Sequence, residues 1–212
     1  MEKFSNGAWN LKGKKFARSA TDQWIKVSYL DLRRPNSRPC QNINDLINGM
    51  NDGIKKYTGS GSKVQSFSDF IHSRELPLGI PPNDLAKALK GSFDVLLNKD
   101  IRLVLIILPD KDVDTYYAVK KAGDLLAGIH TICTVRDKEA NVKSDVGFVA
   151  NLMLKLNQKL GGINFKLQPM TGYSNLLGGN TMIVGADVVS LYSSVVRLVS
   201  SNEHRLILAP VP

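Results

Sequence analysis

Two residue pairs in this sequence have the types and the spacing that could bind a phosphate. Tyr116 and Lys120 lie four residues apart, and so do Lys155 and Lys159, so each pair would share one face of a helix. An aromatic ring beside a lysine can stack on a base while the lysine binds the attached phosphate. Two lysines at helical spacing repel each other, and a bound dianion would relieve that repulsion. Each pair could equally be a solvated helix face, so neither is specific on its own.

A third polar group lies between these pairs in the chain. His130 and Thr131 could donate hydrogen bonds to a phosphate oxygen, although a lone histidine is more often structural. A terminal monophosphate has a second pKa of about 6 and carries nearly two negative charges at neutral pH, whereas a phosphodiester within a strand carries about one. A pocket that gathers Lys120, Lys155 and Lys159 would therefore favour the 5′ end of a nucleic acid over an internal position.

The composition fits a protein with an anionic partner. Among its 212 residues, 28 are Lys or Arg and 19 are Asp or Glu, which gives a formal net charge of +9 and a pI near 9.5. Such a balance favours nucleic acid or an acidic surface as partner. Cys40, Cys133 and the three histidines have no metal-ligand spacing, which argues against a zinc site and against a disulfide framework. We therefore expect no metal and no cofactor, in a reducing compartment.

The sequence has no pattern that would direct the chain into a membrane. Its first residues lack the charged and apolar regions of a signal peptide. The apolar run from Leu103 to Leu108 is far too short to span a bilayer. We therefore expect a cytoplasmic protein that has no membrane partner.

Strand and helix patterns alternate along most of the chain. Strands are predicted at 24–30, 102–108, 130–135 and 181–188, and helices at 42–57, 83–98, 146–160 and from Asp112 or Asp114 to about Ala127. The alternation predicts an α/β fold, with a Rossmann-like, mostly parallel central sheet flanked by helices. The run 102–108 is typical of a central strand buried on both faces. Ligands of such folds bind beyond the carboxyl ends of the strands, so we expect the site after 102–108 and around 130–135.

Five motifs in register resemble the MID domain of eukaryotic Argonaute proteins, and most of all fungal members of the quelling type. They are Gly7-Ala8-Trp9-Asn10-Leu11, the Tyr116-x-x-x-Lys120 helix with Gly123-Asp124, the turn from Gly128 to Cys133, the stretch Leu154-Lys155-Leu156-Asn157-x-Lys159-Leu160-Gly161-Gly162, and Ile183-Val184-Gly185-Ala186-Asp187-Val188. The first resembles the family's Trp-containing linker, and the last resembles the first strand of its PIWI domain. Together they cover roughly residues 7 to 188 and are specific, although each alone is weak.

The resemblance implies a role for each group of residues. The expected residues for binding an RNA 5′-phosphate are Tyr116, Lys120, His130, Thr131, Cys133, Lys155 and Lys159, and the expected base-recognition loop is Pro109, Asp110, Lys111, Asp112, Val113 and Asp114. Tyr116 would stack on the first base, and the loop would check that base through its backbone. The implied partner is a small single-stranded guide RNA with a 5′-monophosphate, and a sulfate or phosphate ion could occupy the same pocket.

One departure from the family lies in this pocket. Animal members have a phosphate-binding Gln immediately before the cysteine that matches Cys133, and Ile132 stands there in this chain. An isoleucine side chain cannot donate a hydrogen bond. His130 and Thr131 are therefore expected to replace the glutamine, and a histidine in this place would make phosphate affinity depend on pH.

The resemblance also divides the chain. It implies a lead-in linker at 1–22, a MID domain at 23–170, the start of a PIWI-like strand at 171–190, and a divergent or appended tail at 191–212. Asp187 matches the first catalytic aspartate of the family's RNase H-like site, and metal-assisted cleavage needs several carboxylates. The full-length family includes guide-directed endoribonucleases. For this stretch we expect a monomeric module with no catalytic residue, which binds RNA and does not cut it.

Two other functions stay open. A Rossmann-like nucleotide-binding enzyme would need a glycine-rich phosphate loop, and the sequence has neither GxGxxG nor GxxxxGK[ST]. A protein-interaction module of the silencing machinery could use the hydrophobic residues near Phe67, Phe70 and Ile71, provided that they are exposed and not part of the core.

Overall fold

The computed structural model describes residues 14–20, 26–38, 40, 42–58, 64, 67, 71–77, 79–136, 146–165, 195–199 and 206–210. The chain separates into two compact units, Met1–Phe165 and Lys166–Pro212. The predicted strand at 181–188 lies outside the described residues, as do the Trp-containing motif and the whole of 171–190. The domain division drawn from the sequence stays a prediction.

A four-stranded parallel sheet forms the centre of the first unit. Its strands are β1 Lys26–Arg33, β2 Ile71–Glu75, β3 Ile101–Leu108 and β4 His130–Val135. Their order is β2-β1-β3-β4, and each neighbouring pair is parallel, which confirms the predicted Rossmann-like sheet. Strand β2 has no counterpart among the predicted strands, because Ile-His-Ser-Arg-Glu has a single apolar residue and no alternation. Its pairing with β1 makes it a strand.

Helices connect the strands along both faces of this sheet. They are α1 Ile43–Thr58, α2 Pro82–Asn98, α3 Val113–Lys120 and α4 Val146–Lys159, and α3 continues as a π-helical segment over Lys121–Ala127. The bounds of α1, α2 and α4 lie within about one residue of the predicted ones. α3 begins where predicted, and the predicted helix to Ala127 is completed by the π-helical segment, whose type the sequence did not indicate. No helix in the described ranges is long and apolar enough to cross a membrane.

Strand β3 is buried on both faces, as its apolar sequence predicts. One face packs with residues of α1 and α4 and consists of Leu103, Leu105 and Ile107. The other face packs with residues of α2 and α3 and consists of Val104, Ile106 and Leu108. Because successive side chains of a strand point to opposite faces, this single run supplies the middle of two cores.

Phe67 belongs to the core on the α1 and α4 side. Its side chain is 4% exposed, so it cannot form the protein-interaction surface that we considered above. Phe70 and the side chain of Ile71 lie outside the described part of the chain.

The described part of the second unit is a pair of strands. β5 Val195–Val199 and β6 Leu206–Pro210 pair in antiparallel fashion. The sequence reasoning treated this stretch as a tail and predicted no strand in it, although both segments are rich in aliphatic residues.

Candidate nucleic-acid interface

The loop after β3 ends in a helix cap that fixes the first turn of α3. The Asp112 carboxylate accepts hydrogen bonds from Asp114 N at 3.3 Å, from Thr115 N at 3.1 Å and from the Thr115 hydroxyl at 2.5 Å. These bonds hold the pKa of Asp112 below its ordinary value, and the bond from the Thr115 hydroxyl has the largest effect. Tyr116 N donates to Asp112 O at 3.1 Å. The loop therefore sets where Tyr116 begins its helical turn.

Tyr116 and Lys120 lie on one face of α3, as their spacing predicts. The Lys120 ammonium is 5.7 Å from the centre of the Tyr116 ring, and Tyr116 is 46% exposed. Lys120 Nζ also donates to the carbonyl and to the hydroxyl of Thr131, at 2.8 Å each. A lysine has about three donors, and these two bonds use two of them. The structure thus brings Tyr116, Lys120 and the start of β4 together.

Thr131 positions Lys120 from the edge strand β4. Its side chain is fully buried, and its hydroxyl binds the lysine. A Cβ at Gly123 would lie 2.7 Å from Thr131 Cγ2 and 3.1 Å from Ile129 O, so the π-helical segment approaches β4 this closely because residue 123 is glycine. The direct contact of Thr131 with a phosphate stays a prediction.

The charges of three lysines act on the first residues of β4. Partial burial lowers the pKa of His130, which is still exposed at the start of β4, and the positive charge of Lys159, followed by that of Lys120, lowers it further. Burial raises the pKa of the Cys133 thiol, while Lys120, Lys159 and Lys155 act in the opposite direction. Lysines of both α3 and α4 thus act on this strand, and Lys120 also contacts it at Thr131. We call these three lysines, with His130 and Cys133, the basic cluster.

The basic cluster lies beside the edge strand β4, near its amino end. Thr131 pairs with Val104, close to the start of β3. Helices that follow parallel strands run back along the sheet, so the last turns of α3 and α4, which carry Lys120 and Lys159, reach this end. The loop after β3 thus lies at the carboxyl end of its strand, whereas Lys120 contacts the amino end of β4, within the predicted region around 130–135. The position of a bound ligand stays a prediction.

Asn157 fixes the last turns of α4. It is fully buried, its Oδ1 accepts a hydrogen bond from Ala20 N at 2.7 Å, and its Nδ2 donates to Arg18 O at 3.2 Å. The lead-in segment is thereby tied to the helix. A Cβ at Gly162 would lie 2.1 Å from Asn157 Oδ1, which explains the glycine there. The motif found in the sequence thus combines structural residues with its two lysines.

Sequence reasoning missed Arg34, which binds the loop after β3 from the end of β1. Its Nε donates to Asp110 Oδ2 at 3.0 Å, and its Nη2 donates to Asp110 Oδ1 and to Asp112 Oδ2, at 3.2 Å each. The hydrogen bonds to Asp110 raise the pKa of Arg34 above its ordinary value, with a smaller contribution from Asp112. The signal that could have found it is positional: β1 and β3 are neighbours in the sheet, and Arg34 follows β1 as Asp110 follows β3.

The other residues of this loop lie closer to solvent. Pro109 is half-buried, and Lys111, Val113 and Asp114 are exposed, with Val113 at 75%. Recognition of a base by this loop stays a prediction, and so does the direct binding of a phosphate by the residues of the basic cluster.

The chain is similar to Argonaute proteins in sequence. The family model described as Piwi domain matches residues 103–200. Protein argonaute 4 of Arabidopsis thaliana is 30% identical over 213 residues, which cover 95% of this chain and 21% of that protein. Protein argonaute of Schizosaccharomyces pombe is 26% identical over 202 residues, which cover 89% of this chain and 22% of that protein. The chain thus spans about a fifth of the length of these relatives.

It is similar to a solved Argonaute structure as well. The MID-PIWI domains of N. crassa QDE-2 match with a TM-score of 0.66 and 28% identity, over 88% of this chain and 50% of that chain. The parallel sheet and these matches define a Rossmann-like fold similar to that of Argonaute proteins. More narrowly, they confirm the resemblance to the MID domain of a eukaryotic, quelling-type Argonaute.

Proposed function

We propose that this domain binds the 5′-monophosphate and the first base of a small guide RNA in RNA silencing. The observation that carries the proposal is the contact of Lys120 with Thr131 at the start of β4 and with the Tyr116 ring. The charges of Lys155 and Lys159 of α4 act on the same strand. The resemblance to Argonaute proteins supports RNA as the source of the phosphate. The role is binding, and it requires no bond cleavage by the described residues.

A terminal phosphate suits the basic cluster better than an internal one. Its second ionisation, with a pKa of about 6, gives it nearly two negative charges at neutral pH. Lys155 and Lys159 repel each other by roughly a few tenths of a kcal/mol at their helical spacing, and a dianion would remove that cost. Hydrogen bonds between charged groups contribute roughly 1.5 to 3 kcal/mol each, so a few of them suffice for measurable affinity.

Tyr116 would hold the first base while the lysines hold its phosphate. Its ring is about half exposed and lies one helical turn before Lys120, whose ammonium is 5.7 Å from the ring centre. Stacking of a base on an aromatic side chain contributes about 1 to 3 kcal/mol and tolerates any base. The pair therefore suits a nucleotide whose phosphate and base are bound side by side.

The test is a calorimetric or NMR titration with uridine 5′-monophosphate and with uridine. We expect the nucleotide to bind and the nucleoside to bind at least about tenfold more weakly, because the charge-assisted bonds are lost. The double exchange Lys120→Glu/Lys159→Glu should abolish nucleotide binding. Because Lys120 also binds Thr131 inside the fold, the exchange Lys155→Glu at an exposed position provides a second variant, which should weaken binding without disturbing the fold.

The matched control is Lys55→Glu/Lys87→Glu. These lysines also lie on two different helices, are 75% and 74% exposed, and make only exposed pairs with Asp52 and Asp84 among the ion pairs described. The control changes the net charge by the same amount, so it separates local binding from the general field of the protein. Unchanged nucleotide affinity in both lysine variants of the basic cluster would overturn the proposed function.

A further inference from the structure

Arg34 links two neighbouring strand ends through its side chain. It directly follows β1 and contacts both oxygens of Asp110, two residues beyond β3, at 3.0 and 3.2 Å. Its Nη2 also reaches Asp112 at 3.2 Å. A guanidinium is planar and its donors have fixed directions, so a two-pronged contact restricts the orientation of both partners. The loop between β3 and α3 is thereby held at two points.

Asp112 passes this restraint on to Tyr116. Its carboxylate binds Arg34 and at the same time caps α3, and its carbonyl accepts the hydrogen bond of Tyr116 N. Asp112 N donates to Asp110 Oδ1 at 3.2 Å, which closes the loop on itself. Without the guanidinium, the two carboxylates would face each other as like charges, and like charges in one site disfavour each other.

The contact acts on the shape of the loop more than on the stability of the domain. The side chains of Arg34, Asp110 and Asp112 are 36%, 47% and 34% exposed, and ion pairs at such exposure contribute little to folding. Their geometry nevertheless favours the loop conformation in which both carboxylates contact the guanidinium.

We propose that Arg34 is a positioning residue for base selectivity, which holds the backbone of the loop against the base stacked on Tyr116. This inference rests on the function proposed above and deepens it. The lysines of the basic cluster lie at the edge of β4 and do not contact Arg34 through any described hydrogen bond. Affinity for a 5′-phosphate and discrimination among bases are therefore separable.

The test compares Arg34→Gln with the wild-type protein in titrations with ribose 5-phosphate and with the four nucleoside 5′-monophosphates. We expect the wild-type Kd values to differ among the four nucleotides. In Arg34→Gln the ratio of the weakest to the tightest Kd should fall by at least about threefold, while the Kd for ribose 5-phosphate stays within about twofold. Arg34→Lys keeps the charge but loses the fork, so it should recover only part of the ratio.

Arg102→Gln is the matched control. It makes the same change in charge and breaks the 3.0 Å ion pair of Arg102 with Asp100. This pair lies at the start of β3, away from the loop, so the substitution should leave every Kd unchanged. A ratio that survives in Arg34→Gln, or four equal wild-type Kd values, would overturn the role of Arg34 while the proposed function stands. A parallel loss of ribose 5-phosphate binding in Arg34→Gln would also overturn it. A wild-type protein that binds none of these phosphates would instead overturn the proposed function, and this inference with it.

Discussion

The basic cluster and the loop after β3 both consist of ionised side chains, but they balance their charges differently. In the loop, Arg34 meets two carboxylates within 3.2 Å, those of Asp110 and Asp112. In the basic cluster, the described groups that act on β4 are three lysines and the carboxylate of Asp124. Among the described residues, the loop pairs its cation with two carboxylates, whereas lysines outnumber carboxylates in the cluster, which suits an anion from outside.

This difference predicts opposite responses to substitution. A charge that also caps a helix inside the protein, as Asp112 does, stabilises the fold, so its removal should lower the free energy of unfolding. A charge among like charges stabilises a complex, and its removal should leave the fold as stable or slightly more so, as is common where binding and stability compete. Each of the following substitutions tests one side of this comparison.

The largest change in stability is expected for Asp112→Ala. This substitution removes both the cap of α3 and a partner of Arg34. Loss of a helix cap lowers the free energy of unfolding by about 0.5 to 2 kcal/mol, and urea denaturation would measure it. The effect should fade in acid: the pKa of Asp112 is lowered in the folded state, so its contribution is present above the unfolded value of about 3.9 and is lost as the pH falls through the folded pKa.

Asp114→Ala is the control for this substitution. Asp114 is exposed and lies in the same first turn of α3. Its substitution therefore removes the same charge near the helix start but leaves the cap in place. Its effect should be smaller, about 0.3 to 1 kcal/mol, from the helix dipole alone. Equal losses in the two variants would mean that the charge alone, and not the cap with its Arg34 contact, stabilises this turn.

A smaller and opposite response is expected for Lys155→Gln. Lys155 is exposed and lies one helical turn before Lys159, so its removal should leave the free energy of unfolding unchanged or raise it by a few tenths of a kcal/mol, about the cost of the like-charge pair. Affinity for uridine 5′-monophosphate should fall about fivefold. Lys55→Gln, at a position 75% exposed on α1, should change neither quantity. A clear loss of stability in Lys155→Gln would contradict the comparison.

Most of the fold follows from local patterns in the sequence. The apolar run that became β3 and the helical spacing of α1, α2 and α4 depend on residues close to one another in the chain, and these elements lie where they were predicted. β2 does not follow from such a pattern, because its five residues form a strand through their pairing with β1. The π-helical segment approaches β4 closely at Gly123 and Thr131, and no spacing rule contains that contact.

The same division holds for the candidate site. The spacing of Tyr116 and Lys120 correctly predicts one shared helix face. Arg34 and Asp110 are 76 residues apart in the chain, and only the strand order brings them together. Thr131 was expected to bind a phosphate. Its hydroxyl contacts Lys120, which follows from the packing of α3 beside β4 and not from any local pattern.

The smallest expected effect concerns His130, which tests whether the basic cluster is open to an external anion. Burial and the charges of Lys159 and Lys120 lower its pKa in the free protein, so the free protein loses stability as the pH falls below about 6.5. A bound phosphate would raise that pKa, so nucleotide affinity should strengthen as the histidine takes up a proton.

The phosphate titrates in the same range, but its own contribution cancels in the affinity ratio of wild type to His130→Ala. This ratio should rise about two- to threefold from about pH 8 to about pH 6. His130→Gln keeps a hydrogen-bond donor but does not titrate, so the affinity ratio of wild type to His130→Gln should rise in the same way. A ratio independent of pH in both comparisons would show that His130 does not face the bound phosphate.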